Sequence, residues 1–305
     1  MAFSKTRIAP GSKVDLSRID PDETFGWKKE NAKAQTQANL ERIAELQELM
    51  HFENKYSMLI VLQAMDTGGK DGTVRVIGGA MNPAGVRVVS FKQPTKEEIA
   101  NGFMWRIENA APKKPGEVVI FNRSHYEDVG VVRVHNIVPE ATWRPRFDII
   151  KKFEKDLGTP SKEIPGGTEV LKFFLHISKD EQWGRLMDRV ADPDKHYKLN
   201  EGDFKERAFW DDYMKAYSEA IEKTSTEDAP WFVIPANRKW LRDLIISQIV
   251  VDHLETLKMK YPPPEVDVKE LQKKYFPDGK TELAAAAPTD APRKSAKDDF
   301  KPKGK

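Results

Sequence analysis

Residues Ser57–Ala64 read SMLIVLQA, a nearly continuous apolar run that passes straight into glycine-rich sequence. A strand with one wet face alternates apolar and polar residues, whereas an unbroken run of this length belongs to a strand covered on both faces, as in a parallel sheet. Parallel neighbours need crossover connections, usually helical. Four more such runs follow, at 86–91 (VRVVSF), 117–122 (EVVIFN), 169–177 (EVLKFFLHI) and 231–236 (WFVIPA), each separated from the next by helix-like sequence. The expected fold class is therefore α/β: a five-stranded, doubly wound parallel sheet flanked by helices.

The helices are legible at their ends. Residues 27–55 are rich in Ala, Gln, Glu and Leu, with Leu40, Ile43, Ala44 and Met50 near helical spacing. Thr95 with Glu98, and Ser178 with Glu181, have the spacing of capping boxes. A last helix over 238–258 aligns Leu241, Leu244, Ile245, Gln248, Val251 and Leu254 before Pro262-Pro263-Pro264 ends the folded domain.

At 305 residues the chain suffices for one large domain or two modest ones. It has no cysteine, which excludes disulfide frameworks, thiolate zinc sites, iron–sulfur clusters and cysteine nucleophiles, and points to a reducing compartment. No apolar run reaches the about 18 residues of a membrane span, and the first dozen residues lack the apolar core of a secretory signal. A cytoplasmic protein without a membrane partner is expected. Lys+Arg number 50 against 48 Asp+Glu, a net charge of +2. Residues 277–305, an alanine run followed by Pro, Lys, Asp and Gly, hold seven of the basic and five of the acidic residues, and low complexity predicts disorder there. The rest is formally neutral, so bulk charge does not indicate a nucleic-acid partner, and affinity for any polyanion must come from cations gathered in one crevice.

The segment Ala64-Met65-Asp66-Thr67-Gly68-Gly69-Lys70-Asp71-Gly72-Thr73 follows the first strand and opens a helix. Glycines let consecutive N–H groups point inward, the helix N-terminus adds its positive dipole end, and Lys70 can bridge phosphate oxygens. Against GxxxxGK[ST] the first Gly is Ala64 and the hydroxyl residue after the lysine is Asp71. An ordinary strand-to-helix turn with a solvated lysine is the simpler alternative. Without the hydroxyl, Mg²⁺ needs another ligand, and Asp66 is the candidate. Asp71 has two roles open, phosphate-site residue or stabiliser of the helix N-terminus.

The third strand runs into FNRSHYEDVGVVRVH (121–135), where residues at the carboxyl end of a parallel strand face the same crevice as the loop, within reach of Arg123 and of Glu127 or Asp128. The pairing of MDTGGKDGT with FNRSHYED resembles the polyphosphate kinase 2 family. The likeness continues through KFFLHISKDEQWGRLMDRVADPDKHYK, ERAFWDDYMKAYSEAI and WFVIPANRKWLRDLIISQIV, over about residues 27–261. It implies a P-loop kinase fold similar to thymidylate kinase, with a helical lid at about 179–205. It also implies reversible, direct phosphoryl transfer between inorganic polyphosphate and adenine or other purine nucleotides, with Mg²⁺ or Mn²⁺, by a homo-oligomer. Residues 1–26 then form an N-terminal extension, 27–261 the kinase domain and 262–305 a C-terminal extension. Glu127, where diphosphate-specific members tend to carry Asn, is similar to the class III subgroup, associated with both AMP and ADP.

Carried over on this resemblance are Asp66, Gly69 and Lys70 in the loop, Asn122, Arg123 and Glu127 in the second motif, and Arg133 beyond it. Asp66, Lys70, Arg123 and Glu127 are the expected catalytic residues, with Asp66 and Glu127 holding the metal and Asn122, Arg123 and Glu127 touching the nucleotide. Gly68, Gly69, Lys70, Asp71, Gly72, Thr73, Arg133 and Arg189 are the expected phosphate or polyphosphate contacts. His196-Tyr197-Lys198 departs from the family pattern, where Trp precedes the Lys.

Several residues carry a simpler reading beside a functional one. His125 is expected to be a hydrogen-bonded structural residue rather than a phosphohistidine. Arg144, Arg146, Lys151 and Lys152 line a polyphosphate channel or form a solvated face. Arg185 and Arg189 share a helix face, and Arg189 is the expected ligand. Phe209, Trp210, Tyr213 and Tyr217 are expected in the core, with Asp211 and Asp212 exposed. The competing functions are an ATP-dependent nucleoside monophosphate kinase on the same fold and a non-catalytic nucleotide-binding module; Asn237-Arg238-Lys239-Trp240 is not the NKxD of a GTP switch.

Overall fold

The structure, a computed structural model, describes residues 3–276; the disorder expected from about 277 lies outside the described residues. The chain divides into two units, Met1–Tyr261 and Pro262–Lys305. In the second, the described helix Val268–Tyr275 is capped by Asp267, whose carboxylate accepts from the amides of Lys269 and Glu270.

The first unit is built on a sheet of strands β1 (Arg7–Ile8), β2 (Ser57–Ala64), β3 (Val86–Ser90), β4 (Val118–Asn122), β5 (Thr168–His176) and β6 (Trp231–Pro235), in the order β1-β6-β5-β2-β4-β3. The five runs read from the sequence are the five parallel strands, and β2, fully buried, lies between β4 and β5 as its apolar run demands. β3 departs from the both-faces-buried pattern: it is the sheet edge, and its residues are half-buried or exposed.

The sixth strand was not expected. β1 pairs antiparallel with β6, making the sheet mixed. Residues 3–26, set apart in the sequence as an extension, pack into the body: Phe3 and Leu16 are buried, the Leu16 amide donates to Ser218 Oγ at 3.1 Å, and His176 Nε2 meets the Ile19 carbonyl at 3.0 Å. Two apolar anchors on an irregular segment leave no periodic trace.

Six of the helices matter for the site or its support: α1 (Lys29–Glu53), α2 (Lys70–Gly79), α3 (Arg146–Gly158), α4 (Lys179–Ala191), α5 (Trp210–Thr224) and α6 (Lys239–Thr256). α1 buries Ala32, Asn39, Ile43, Leu46 and Met50, a 3–4 spacing along one face, and Asn39 Nδ2 donates to Ser247 Oγ of α6 at 3.2 Å. One of the two expected capping boxes closes: Thr95 and Glu98 make the reciprocal pair, whereas at the start of α4 Ser178 Oγ accepts from the Glu181 amide but the Glu181 carboxylate pairs with Arg185 at 2.7 Å. From β2 the chain crosses to the edge strand β3 and returns to β4 on one side, then passes to β5 on the other, so the carboxyl ends of β2, β4 and β5 flank a topological switch point.

Candidate active site

β2 ends at Ala64, and the chain turns through Met65–Gly69 into α2. Gly69, the residue before the helix, has φ 104°, and a Cβ there would lie 2.2 Å from Arg242 Nη1. At Gly68 a Cβ would meet the Ala64 Cβ at 2.5 Å. Both positions therefore require glycine. Lys70 opens α2 and folds back on the loop: Nζ donates to the carbonyls of Ala64 at 2.9 Å and Met65 at 3.3 Å. Burial, and then Arg123, lower its pKa, against the pull of Asp66 and Glu127.

On the neighbouring strand, Asn122 pairs in register with Leu62. Asn122 Nδ2 donates to Asp71 Oδ1 of α2 at 2.7 Å, and the Arg123 amide donates to the Leu62 carbonyl at 3.2 Å. Arg123 has φ 65°, a left-handed backbone unusual for a side-chain-bearing residue. Its guanidinium joins the two motifs: Nη2 lies 2.8 Å from Asp66 Oδ1 and Nη1 3.3 Å from Glu127 Oε2. Burial alone lowers the Arg123 pKa, but Glu127 and Asp66 outweigh it and the net shift is upward. Tyr217 is buried close enough to feel this site: burial raises its phenol pKa far above the ordinary value and Glu127 adds to the rise. Next to Glu127, Asp128 is pushed up to about 6 by burial, against the pull of Arg146 and Arg106.

Asp66, Arg123 and Glu127 are thus in contact, with Lys70, Asp71 and Asn122 beside them. Arg133 and Arg189 engage other partners. Arg133 pairs with Glu219 at 2.5 Å and lies over the Trp143 ring, while Arg189 pairs with Asp203 at 3.0 Å. Asp203 nevertheless senses the site: burial and then Asp66 raise its pKa.

Three residues the sequence reading did not select hold the loop from behind. Arg185, passed over in favour of Arg189, is buried on α4 and donates to the carbonyls of Thr67 at 3.0 Å, Ala236 at 2.6 Å and Asn237 at 3.0 Å. Gln182 Nε2, one turn earlier, donates to the Asp66 carbonyl at 3.0 Å, and Arg242 Nη1 of α6 to the Gly69 carbonyl at 3.1 Å. The carbonyls are held behind the loop and the Gly68 amide is used within it, donating to the Met65 carbonyl at 3.0 Å; the other loop amides can receive an anion. The only signal for Arg242 was an arginine between Leu241 and Leu244 on a buried helix face.

The remaining residues divide by contact. Arg146 is nearly buried and reaches Asp128, whereas Lys151 and Lys152 make local pairs with Asp148 and Asp156 and Arg144 pairs with Glu140 and Glu219. His125 is fully buried, Trp210, Tyr213 and Tyr217 are buried, and Asp211 and Asp212 are exposed.

Among the described residues no three His, Cys, Asp or Glu side chains cluster as a metal cage. Mg²⁺ takes one or two carboxylates together with phosphate oxygens and water. Asp66 and Glu127, converging on one guanidinium, supply a donor set of that kind.

Comparison with known proteins gives a consistent match. The family model "Polyphosphate kinase 2 (PPK2)" matches residues 26–262. The chain is 50% identical over 266 residues to an AMP/ADP-polyphosphate phosphotransferase of Meiothermus ruber, covering 86% of this chain and 97% of that protein. It is 39% identical over 272 residues to an ADP-polyphosphate phosphotransferase of Rhodopseudomonas palustris, covering 84% and 91% respectively. Among solved structures, the crystal structure of polyphosphate kinase 2 from Arthrobacter aurescens superposes with a TM-score of 0.83 at 44% identity, covering 89% of this chain and 95% of that one.

Proposed function

The chain belongs to the polyphosphate kinase 2 family, and on that premise we propose that it transfers phosphoryl groups, reversibly, from inorganic polyphosphate to AMP and ADP. The observation that carries this reading is Arg123, held between the loop carboxylate Asp66 and the motif carboxylate Glu127. Support for two acceptors comes from Glu127 and from the name of the half-identical relative, an AMP/ADP-polyphosphate phosphotransferase.

Phosphoryl transfer asks for little covalent chemistry. Two polyanions must be held in line while charge on the transferred group is compensated. The amides at the start of α2 receive phosphate oxygens. Lys70 exchanges its two carbonyl partners for phosphate, and Arg123 presents a planar fork to the equatorial oxygens. Asp66 and Glu127 hold Mg²⁺ or Mn²⁺, which when bound supplies further positive charge to the phosphate oxygens. The bridging P–O bond to the terminal phosphoryl of polyphosphate breaks, releasing a chain one phosphate shorter, as a nucleotide phosphate oxygen bonds to the same phosphorus without a covalent enzyme intermediate; His125, fully buried, is not a nucleophile in this step. Arg133 and Arg189 reach polyphosphate in this reading by leaving Glu219 and Asp203. A kinase domain over 27–261 with its lid near 179–205, homo-oligomerisation and a cytoplasmic setting complete the proposal.

The test is to incubate the protein with Mg²⁺ and polyphosphate, adding AMP or ADP separately, and to resolve the nucleotides. ADP from AMP and ATP from ADP are expected. No product from either acceptor refutes the proposal, and product from ADP alone removes its two-acceptor part. Phosphorylation of AMP by ATP but not by polyphosphate favours the monophosphate-kinase alternative.

A further inference from the structure

Beneath the second motif lies an ion pair that the proposed chemistry does not use. Lys172 on β5 and Glu154 on α3 are 0% and 1% exposed and approach to 2.5 Å. Each ammonium hydrogen has an acceptor: Glu154 Oε2 at 2.5 Å, the Tyr126 hydroxyl at 3.0 Å and the Thr224 carbonyl at 2.8 Å. The other carboxylate oxygen, Glu154 Oε1, accepts from the Tyr126 hydroxyl at 2.8 Å and meets His125 Nε2 at 3.2 Å. Thr224 Oγ1, in turn, lies 2.9 Å from the Tyr126 hydroxyl and 2.9 Å from Trp231 Nε1.

Such a pair is a poor way to gain stability, because dehydrating two charges offsets much of their attraction and an apolar pair of equal volume fills the space as well. An apolar pair cannot, however, fix the orientation of a hydroxyl and an imidazole. Those groups belong to Tyr126 and His125, in the single 3₁₀ turn His125–Asp128 that also carries Glu127. The turn starts at Ser124, whose Oγ accepts from the Tyr126 amide at 3.2 Å, one residue after Arg123.

We infer that Glu154 and Lys172 are positioning residues for phosphoryl transfer: through Tyr126 and His125 they lock the 125–128 turn to β5 and α3, so that Glu127 stays opposite Arg123. The inference rests on the reading of Arg123 and Glu127 as site residues. Its chemistry is entirely hydrogen bonding, with no proton or group transferred.

Two variants test it: Tyr126→Phe, which keeps the ring and removes the bridging hydroxyl, and the double substitution Glu154→Leu/Lys172→Met, which removes both charges at similar volume. Expected for each is a folded protein by circular dichroism, with kcat for ATP formation from ADP and polyphosphate at least about tenfold lower and both KM values within about twofold of wild type. An unchanged kcat in either folded variant overturns the inference. So does a fall in kcat that tracks a fall in thermal midpoint and disappears when rates are normalised to the folded fraction, which marks a merely structural role. If the double variant does not fold, Tyr126→Phe decides alone. Arg123→Ala, assayed alongside, separates the two levels: full activity there means that the site reading has failed, whatever the turn does.

Discussion

Arg123→Ala perturbs the centre of the site while leaving the scaffold nearly untouched. The guanidinium lies 2.8 Å from Asp66 and 3.3 Å from Glu127, with the side chain 41% exposed. At that exposure each ion pair contributes about 0–1 kcal/mol to stability, so the thermal midpoint should move by only a few degrees. Catalysis should respond far more. A unit charge about 4 Å from the transferring phosphoryl, at an effective dielectric of about 20, contributes about 4 kcal/mol, or about a thousandfold in rate. Removal of a single charge-stabilising donor commonly costs about 10²–10³. Initial rates of ATP formation from ADP and polyphosphate should therefore give a kcat/KM about 10²–10³ below wild type. Arg123→Lys, which keeps the charge and loses the fork, should fall between the two. A folded Arg123→Ala protein that loses less than about tenfold refutes the reasoning.

Arg185→Met withdraws donors from three loop and strand-end carbonyls, and denaturant unfolding should show a loss of about 2–4 kcal/mol; a loss below about 1 kcal/mol would mean that the clamp is not structural. Gly69→Ala combines φ 104° with a Cβ 2.2 Å from Arg242 Nη1 and should cost about 1–3 kcal/mol. The control Gly79→Ala, with nothing within 4 Å, should be neutral or mildly stabilising, and equal effects at the two glycines would count against the loop geometry. Burial lowers the His176 pKa below 6.5, so the folded state binds that proton less readily than the unfolded chain. The stability contributed by its neutral ring is complete above about pH 6.5 and declines as the pH falls below that value. Unfolding midpoints between pH 7.5 and 5 should fall less steeply for His176→Gln than for wild type, whereas parallel slopes would exclude the linkage.

The parallel core was legible because a strand buried on both faces has no freedom to alternate, and Ser57–Ala64 does not. β1 was hidden for the opposite reason: two residues, Arg7 and Ile8, carry no period, and their place follows from Phe3 and Leu16 entering the core. Nor does VRVV distinguish a central strand from the edge that β3 occupies. Within the site, residues contiguous on the two motifs could be read together because one strand end delivers each set. Arg242 lies 173 residues from Gly69 along the chain, and only the packing of α6 brings it to the loop. Arg185 and Arg189, one turn apart on the same helix, are equivalent by spacing. The tertiary fold separates them, turning Arg185 into the loop carbonyls and Arg189 onto Asp203.

The bonds at the base of α4 also set the mechanics of the segment proposed as a lid. Four hydrogen bonds from Gln182 and Arg185 bolt this helix to residues 66, 67, 236 and 237, and it is continuous to Ala191. A rod fastened so near its root would not swing, so a lid motion would hinge at Asp192 and Pro193, where the Asp192 backbone is extended and the next turn begins. Were the segment beyond Asp192 to move as a lid, Arg189 would stay with α4 while Asp203 moved with the arm. Their ion pair would then be a latch, because the swing that opened the arm would strip the carboxylate from Arg189 and bare a cation as an anionic chain gained room to enter.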